Sequence, residues 1–290
     1  MLRILYVIPI GGGLPIFGYG LFLMLGFVAG LLLACRRGKA AGFSTDAVLD
    51  VGIISTVSGI IGARAAYLAL DYQPVAGGFL EWLAVWQGGL TFQGGLLLSC
   101  IAVYAYLKGK NLPIAKMMDV FAPSLALGVG LGRLGCLMNG CCWGKIAPNG
   151  SWFSMYFPEE IEPMASQYWF FEENPAGWAG LMRSLGFPAD YVPTLPIYAT
   201  QLISAVGLFL IAAGLLWAER RWRNRRDGAV MIWFLFAYGF GRFLIEFWRD
   251  DTPLRYGFGV FPGFRLGQWL ALAMLLIGLI WRLRLARGDG

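Results

Sequence analysis

Residues 128–144 read GVGLGRLGCLMNGCCWG, and this stretch decides what kind of chain it belongs to. Arg133 stands in a run, residues 125–138, that is otherwise apolar or glycine, so it is not an ordinary surface arginine. A guanidinium within a bilayer is costly, and by default such a charge marks a functional site. The other reading is that Arg133 snorkels from near a helix end, with its stem in lipid and its head among the headgroups. Asn139 and Trp143 follow closely, which puts the end of this helix near an interface. Gly128 and Gly132, four apart, share one helical face, where small residues let a second helix approach.

Working outward, the rest of the chain has the same character. Hydrophobic residues are 58% of the 290 and charged residues 14%, with a mean hydropathy of +0.63. Soluble domains carry about 25% charged residues, so the apolar excess points to spanning helices rather than to a large soluble core. At roughly 20 residues a span, the length holds about seven helices and one extramembrane segment. The formal charge of +6 does not indicate nucleic acid: the basic residues form short clusters beside apolar runs, and no nucleic-acid module accompanies them. That placement fits cytoplasmic loops facing anionic lipid.

Apolar runs place spans near residues 16–35, 48–70, 89–107, from 117 through Arg133, 196–217, 229–248 and 267–281. The first, preceded only by Arg3 and followed by no small-residue cleavage site, is expected to be a retained helix. Residues 71–88, with Trp82 and Trp86, suit an interfacial connection. Residues 145–195, with Glu159, Glu160, Glu162, Glu172, Glu173 and an aromatic cluster at 169–171, are expected to form a small head on the membrane surface. Basic clusters follow spans one, three, five and seven: Arg36, Arg37 and Lys39; Lys108 and Lys110; residues 220–226; and Arg282, Arg284 and Arg287. Counting them inside makes residues 1–290 a single multi-pass domain. The expected fold is an all-α integral membrane protein of about seven transmembrane helices, N-out and C-in, with an extracytoplasmic head at 145–195 between helices four and five.

The chain has five cysteines and no histidine. Cys136, Cys141 and Cys142 lack the CxxC spacing of a zinc site and have no histidine to complete one. They read as small apolar packers near a helix end, and no metal site is expected. The missing histidines also remove the commonest general base.

Three arginines fall at intramembrane positions: Arg64, Arg133 and Arg242. Glu246 is the clear acidic partner, and Arg242 and Glu246, four apart, can pair on one helix. A purely structural pair is one reading of these two, but it leaves Arg64 and Arg133 unexplained. The net positive charge calls for an anion, and the anion at hand in a bilayer is a lipid phosphate, which guanidinium groups grip with two parallel hydrogen bonds. By position, Arg133, Asn139, Arg242, Glu246 and Arg249 lie toward the outer leaflet.

GRLGCLMNGCCWG at 132–144 resembles the signature of the prolipoprotein diacylglyceryl transferase family. Other pieces occur in that family's order: Tyr19-Gly20-Leu21, Gly62-Ala63-Arg64, Phe92-Gln93-Gly94-Gly95, Thr200-Gln201-Leu202, RFLIEFWR at 242–249, and Gly267-Gln268-Trp269. Together they span nearly the whole chain outside the head. The resemblance implies transfer of diacylglyceryl from phosphatidylglycerol to the lipobox cysteine thiol of a bacterial prolipoprotein. The products are a thioether and glycerol phosphate. It also implies residence in the bacterial cytoplasmic (inner) membrane with the site toward the periplasmic side, and no cofactor. On this basis Arg133, Arg242 and Glu246 are the expected catalytic residues, the two arginines on the phosphate and Glu246 orienting Arg242. Tyr19, Arg64, Gln93, Arg133, Asn139, Gly144, Arg249 and Gln268 are the expected substrate- and lipid-binding positions. The chain departs from the family at Gln93, where the family has histidine, and at Cys141, often glutamate. Tyr198-Ala199 stands for His-Pro, and Ile203-Ser204 for Tyr-Glu. A catalytically altered or inactive lipid-binding homologue is thus one alternative. A lipid or anion transporter is another, although no convincing inverted repeat is seen.

Overall fold

The computed structural model describes residues 4–8, 14–70, 89–142, 144–145, 147–148, 151–155, 196–222, 225–249 and 265–287. Seven helices run through these residues: α1 (Gly18–Ala40), α2 (Thr45–Leu70), α3 (Phe92–Gly109), α4 (Ile114–Asn139), α5 (Thr200–Arg221), α6 (Ala229–Ile245) and α7 (Leu266–Arg287). Two short antiparallel pairs accompany them, β1 (Ile4–Ile8) with β2 (Leu14–Phe17) and β3 (Ser154–Met155) with β4 (Ile197–Tyr198). The helix order matches the apolar runs. The boundaries differ where strands intervene: the first helix starts at Gly18 rather than at 16, and the fifth at Thr200 rather than at 196. Residues 71–88, 156–195 and 250–264, with Arg3, Trp143 and Arg223, lie outside the described residues. The expected interfacial loop and most of the expected head therefore lie there too.

Five of the helices, α1, α2, α4, α5 and α7, are long and apolar enough to cross a membrane, and α6 is a shorter apolar helix. Their surfaces agree with that solvent. Large side chains such as Leu97, Leu210 and Leu276 point outward, Leu210 at 68% exposure. Contiguous apolar surface on this scale is foreign to a water-soluble monomer. The chain is a helical membrane protein.

The helix that carries the deciding stretch is the hub. α4 packs against α1, α5 and α6, while α2 pairs with α3 and α7 with α6. Ala122, Ala126, Leu208, Ala212 and Phe234 form one apolar cluster around α4, α5 and α6. Ala34, Val48, Leu107, Met117 and Val120 form a second, joining α1, α2, α3 and α4. Gly128 makes the expected close crossing: a Cβ on its partner Gly26 of α1 would lie 2.8 Å from the Gly128 carbonyl oxygen. Gly132 does not share it, since nothing lies within 4 Å of the place its Cβ would take. The one-face expectation holds for the first glycine only: α1 continues along α4 to Gly135, where a Cβ would lie 3.2 Å from Tyr19 O and 3.3 Å from Phe22 Cβ, and Gly132 is turned away from that line of contact.

α4 also contains Pro123, which has no N–H to give the Asp119 carbonyl one turn back. Arg37 of α1 supplies the donor: its Nη1 reaches Asp119 O at 2.7 Å and also bonds Val120 O. Its other nitrogens hold Glu219 Oε2 at 3.0 and 2.6 Å, and Arg225 pairs with the same carboxylate. The Asp119 carboxylate, buried, accepts from Gly228 N at 2.9 Å and Met231 N at 2.8 Å. It therefore caps α6 from another helix, an arrangement for which anions at helix N-termini are suited. These contacts gather the ends of α1 and α5 with the starts of α4 and α6 at one end of the bundle. The candidate residues occupy the other end.

Candidate active site

α4 ends at Asn139 with Gly140 in the left-handed conformation, φ 71°. Cys141 N closes back on Cys136 O at 3.1 Å, the six-to-one bond of a glycine-capped helix end. The chain then threads between the end of α6 and the start of α5. Gly144 N donates to Tyr198 O at 3.0 Å, Lys145 N to Trp248 O at 2.8 Å, and Gly144 bridges Arg249. A Cβ at Gly144 would lie 2.5 Å from Tyr198 Cβ and 2.7 Å from Trp248 O, so only glycine fits. From α5, Thr200 Oγ1 donates to Cys142 O at 2.9 Å and Gln201 Nε2 to Cys141 O at 2.8 Å, both from buried side chains.

This threading brings several expected residues together. Arg242 Nη1 and Glu246 Oε2 are 2.7 Å apart, the carboxylate side chain 1% exposed. The contact lacks the alignment of a hydrogen bond. The charges of Arg249 and Arg133 both act on Arg242, so guanidiniums from α4, α6 and the turn after α6 converge. Arg249 is buried, and its carbonyl accepts from Arg265. Among the described residues Arg133, half-buried, has no ion-pair partner. Tyr19 packs on α4 at Gly135 and lies within the electrostatic reach of Arg133 and of Cys136, Cys141 and Cys142. Asn139 lies against the Cys141 thiol.

Other expected residues stand differently. Arg64 is buried on α2, where Nη1 donates to Gly89 O at 3.2 Å and the guanidinium sits 5.6 Å from the Tyr67 ring centroid. Gln93 is exposed at the start of α3. Gln268 is buried with its Oε1 accepting from Arg265 N at 3.0 Å, so it caps the start of its own helix. Through that start it sets the neighbouring Gly267, where a Cβ would meet Arg242 Nη2 and Glu246 Oε1 at 2.6 Å each.

Three features went unseen in the sequence. Thr200 and Gln201 were visible as a motif, but their hold on the Cys141 and Cys142 carbonyls needs the tertiary fold. Gly267 was visible as a motif glycine, not as the surface on which the ion pair rests. The thiols of Cys136, Cys141 and Cys142, whose spacing read as ordinary packing, have their sulfurs within 4.8 Å of one another. The available signal was the glycine between them, which turns the chain back over the last helical turn.

The family model described as prolipoprotein diacylglyceryl transferase matches residues 6–284. Proteins named phosphatidylglycerol–prolipoprotein diacylglyceryl transferase are similar along nearly their whole length. The one from Clostridium tetani is 29% identical, covering 92% of this chain and 92% of its own. That from Erwinia tasmaniensis is 31% identical over 93% and 88%, and that from Neisseria meningitidis serogroup A is 31% identical over 93% and 91%.

Proposed function

This chain belongs to the prolipoprotein diacylglyceryl transferase family, and we propose that it moves diacylglyceryl from phosphatidylglycerol to the lipobox cysteine thiol of bacterial prolipoproteins. The observation that carries this reading is the convergence of Arg133 and Arg242 from different helices. Like charges held together in a site poor in water repel unless an anion visits, and a phosphodiester headgroup is that anion.

In the reaction the substrate sulfur attacks the glyceryl carbon next to the phosphate oxygen. The carbon–oxygen bond breaks with its electron pair going to that oxygen. The thiol proton leaves with solvent or the departing phosphate, and glycerol phosphate is released. Stabilising the leaving phosphate is the electrostatic task, for which preorganised donors contribute most. Arg133 and Arg242 take it, with Arg249 beside them and Arg64 adding positive charge at the same end of the bundle. Glu246 orients Arg242 through the 2.7 Å ion pair between them. Tyr19 and Asn139 offer neutral hydrogen bonds to the headgroup or its esters. Gly144, Gln268 and Gly267 act as positioning residues.

The basic last turns of α1, α3, α5 and α7 support seven spans in an N-out, C-in arrangement. The site then opens to the outer leaflet of the bacterial cytoplasmic membrane, and residues 145–195 lie outside it.

The test is transfer of labelled diacylglyceryl to a lipobox peptide by Arg133→Lys and Arg133→Ala at matched protein levels. Lysine keeps the charge but loses the planar fork that holds two phosphate oxygens, so both variants should fall about 100-fold or more, the size of a lost oxyanion donor. Near-normal transfer by Arg133→Lys would leave only a snorkelling role.

A further inference from the structure

The nucleophile of that reaction belongs to the substrate, so the thiols of Cys136, Cys141 and Cys142 have no part in it as written. We propose that they form a zinc site of three thiolates with its fourth position open, and that this position takes the incoming lipobox cysteine. The inference rests on the transferase reading and supplies the step it lacks, activation of the substrate thiol.

The geometry fits. All three Sγ atoms lie within 4.8 Å of one another. Zinc–sulfur bonds of about 2.3 Å at tetrahedral angles place sulfurs about 3.8 Å apart, so closure asks for movements of about 1 Å, within the reach of small side-chain rotations. Soft thiolates select zinc and other thiophilic cations over magnesium or calcium. Three protein ligands with one exchangeable position is the arrangement of catalytic rather than structural zinc.

The backbone around the thiols is held as a metal site requires. Cys142 has φ 61°, a conformation that residues other than glycine seldom adopt and that persists only where the surroundings enforce it. The enforcing groups are Thr200 and Gln201, each 1% exposed, which hydrogen-bond the carbonyls of Cys142 and Cys141. Polar partners of this kind fix the direction of metal ligands. The charges of Arg249 and Arg133 act on Cys142, so a zinc–trithiolate unit, anionic overall, has cationic neighbours.

The chemistry balances. On coordination the substrate S–H gives its proton to water, as a metal-bound thiol does. The sulfur pair forms the S–C bond to the glyceryl carbon, and the C–O bond breaks toward the phosphate. The neutral thioether, a weaker ligand than thiolate, then leaves zinc. With no histidine in the chain and Gln93 at the family's histidine position, this route activates the thiol without that base. A free thiol of pKa about 8.5 is about 3% ionised at pH 7, so complete ionisation is worth about 30-fold.

The test uses the full-length chain, without an affinity tag, in phosphatidylglycerol nanodiscs. Zinc content is measured, and cobalt(II) is exchanged in to read its thiolate charge-transfer and tetrahedral bands. We expect one metal per chain, and a cobalt spectrum that changes with a lipobox peptide but not with its serine analogue. Chelation should lower transfer about 30-fold at pH 7, reversed by added zinc. Cys136→Ser combined with Cys142→Ser should lose the cobalt spectrum while melting within a few degrees of the parent. No bound metal, a disulfide among the three cysteines, a cobalt spectrum indifferent to the cysteine peptide, or full transfer after chelation would each overturn the zinc site. Full transfer without metal would leave the transferase reading intact. A peptide-sensitive cobalt site in a chain that transfers nothing would support the site and count against that reading.

Discussion

Glu246→Gln removes one charge from the place where burial makes it matter most. The carboxylate side chain is 1% exposed and lies 2.7 Å from Arg242, itself 18% exposed. Glutamine keeps the shape, but Arg242 then faces the charges of Arg249 and Arg133 without its partner. Breaking one half of a buried pair costs about 3–5 kcal/mol, which for a chain of this size lowers Tm on the order of 10 °C. Arg242→Leu removes the guanidinium 2.7 Å from the Glu246 carboxylate and should cost a similar amount. The double variant removes both members of the pair, so its loss should fall short of the summed single losses by about 2 kcal/mol or more. The assay is intrinsic tryptophan fluorescence on melting all four proteins in identical nanodiscs, alongside diacylglyceryl transfer. Transfer should be lost in every variant, because each one misplaces or removes the Arg242 fork. Losses in stability that add to within about 0.5 kcal/mol would refute the coupling, and with it the role given to Glu246.

Three further outcomes follow from the same geometry. Gln93→Ala should reduce transfer only modestly, since Gln93 is exposed at the start of α3; a loss as deep as that of Arg133→Ala would place it in the chemical step. Gly144→Ala should destabilise by about 1–3 kcal/mol and lower transfer, because its methyl would press on Tyr198 and Trp248; an unchanged Tm would show that the segment yields. For topology, a fluorescent protein fused after Gly290 should fluoresce in the cytoplasm, and alkaline phosphatase fused after Ser151 should be active outside; the reverse pattern would invert the placement of the site.

What the sequence made legible was local. Apolar runs gave the helix order because each span must satisfy its own backbone in lipid. The Arg242–Glu246 pair was legible because four residues on a helix is a fixed distance. Contacts between distant segments were not. Nothing near Pro123 says that the carbonyl it frees will be met by Arg37, 82 residues earlier. Nothing near Asp119 names Gly228 and Met231 as the amides it caps. Gln268 looked like a binding residue because it sits in a motif, yet its side chain caps its own helix. Gly132 looked like Gly128, and only the line α1 takes along α4, through Gly128 and Gly135, separates them.

The two ends of the bundle differ in a way that bears on function. At one end, Arg37, Glu219, Arg225 and Asp119 bond to one another or to backbone groups across α1, α4, α5 and α6. Charges so matched hold helices in place and leave little for a ligand to do. At the other end, Arg133 has no ion-pair partner among the described residues, and Arg242 shares its field with Arg133 and Arg249. Close cations raise the energy of the empty site, and that energy is recovered when an anion enters. An end of matched charges opposite an end of neighbouring cations is the arrangement expected when a phosphate must be gripped as it leaves, because preorganised donors are in place before the charge arrives.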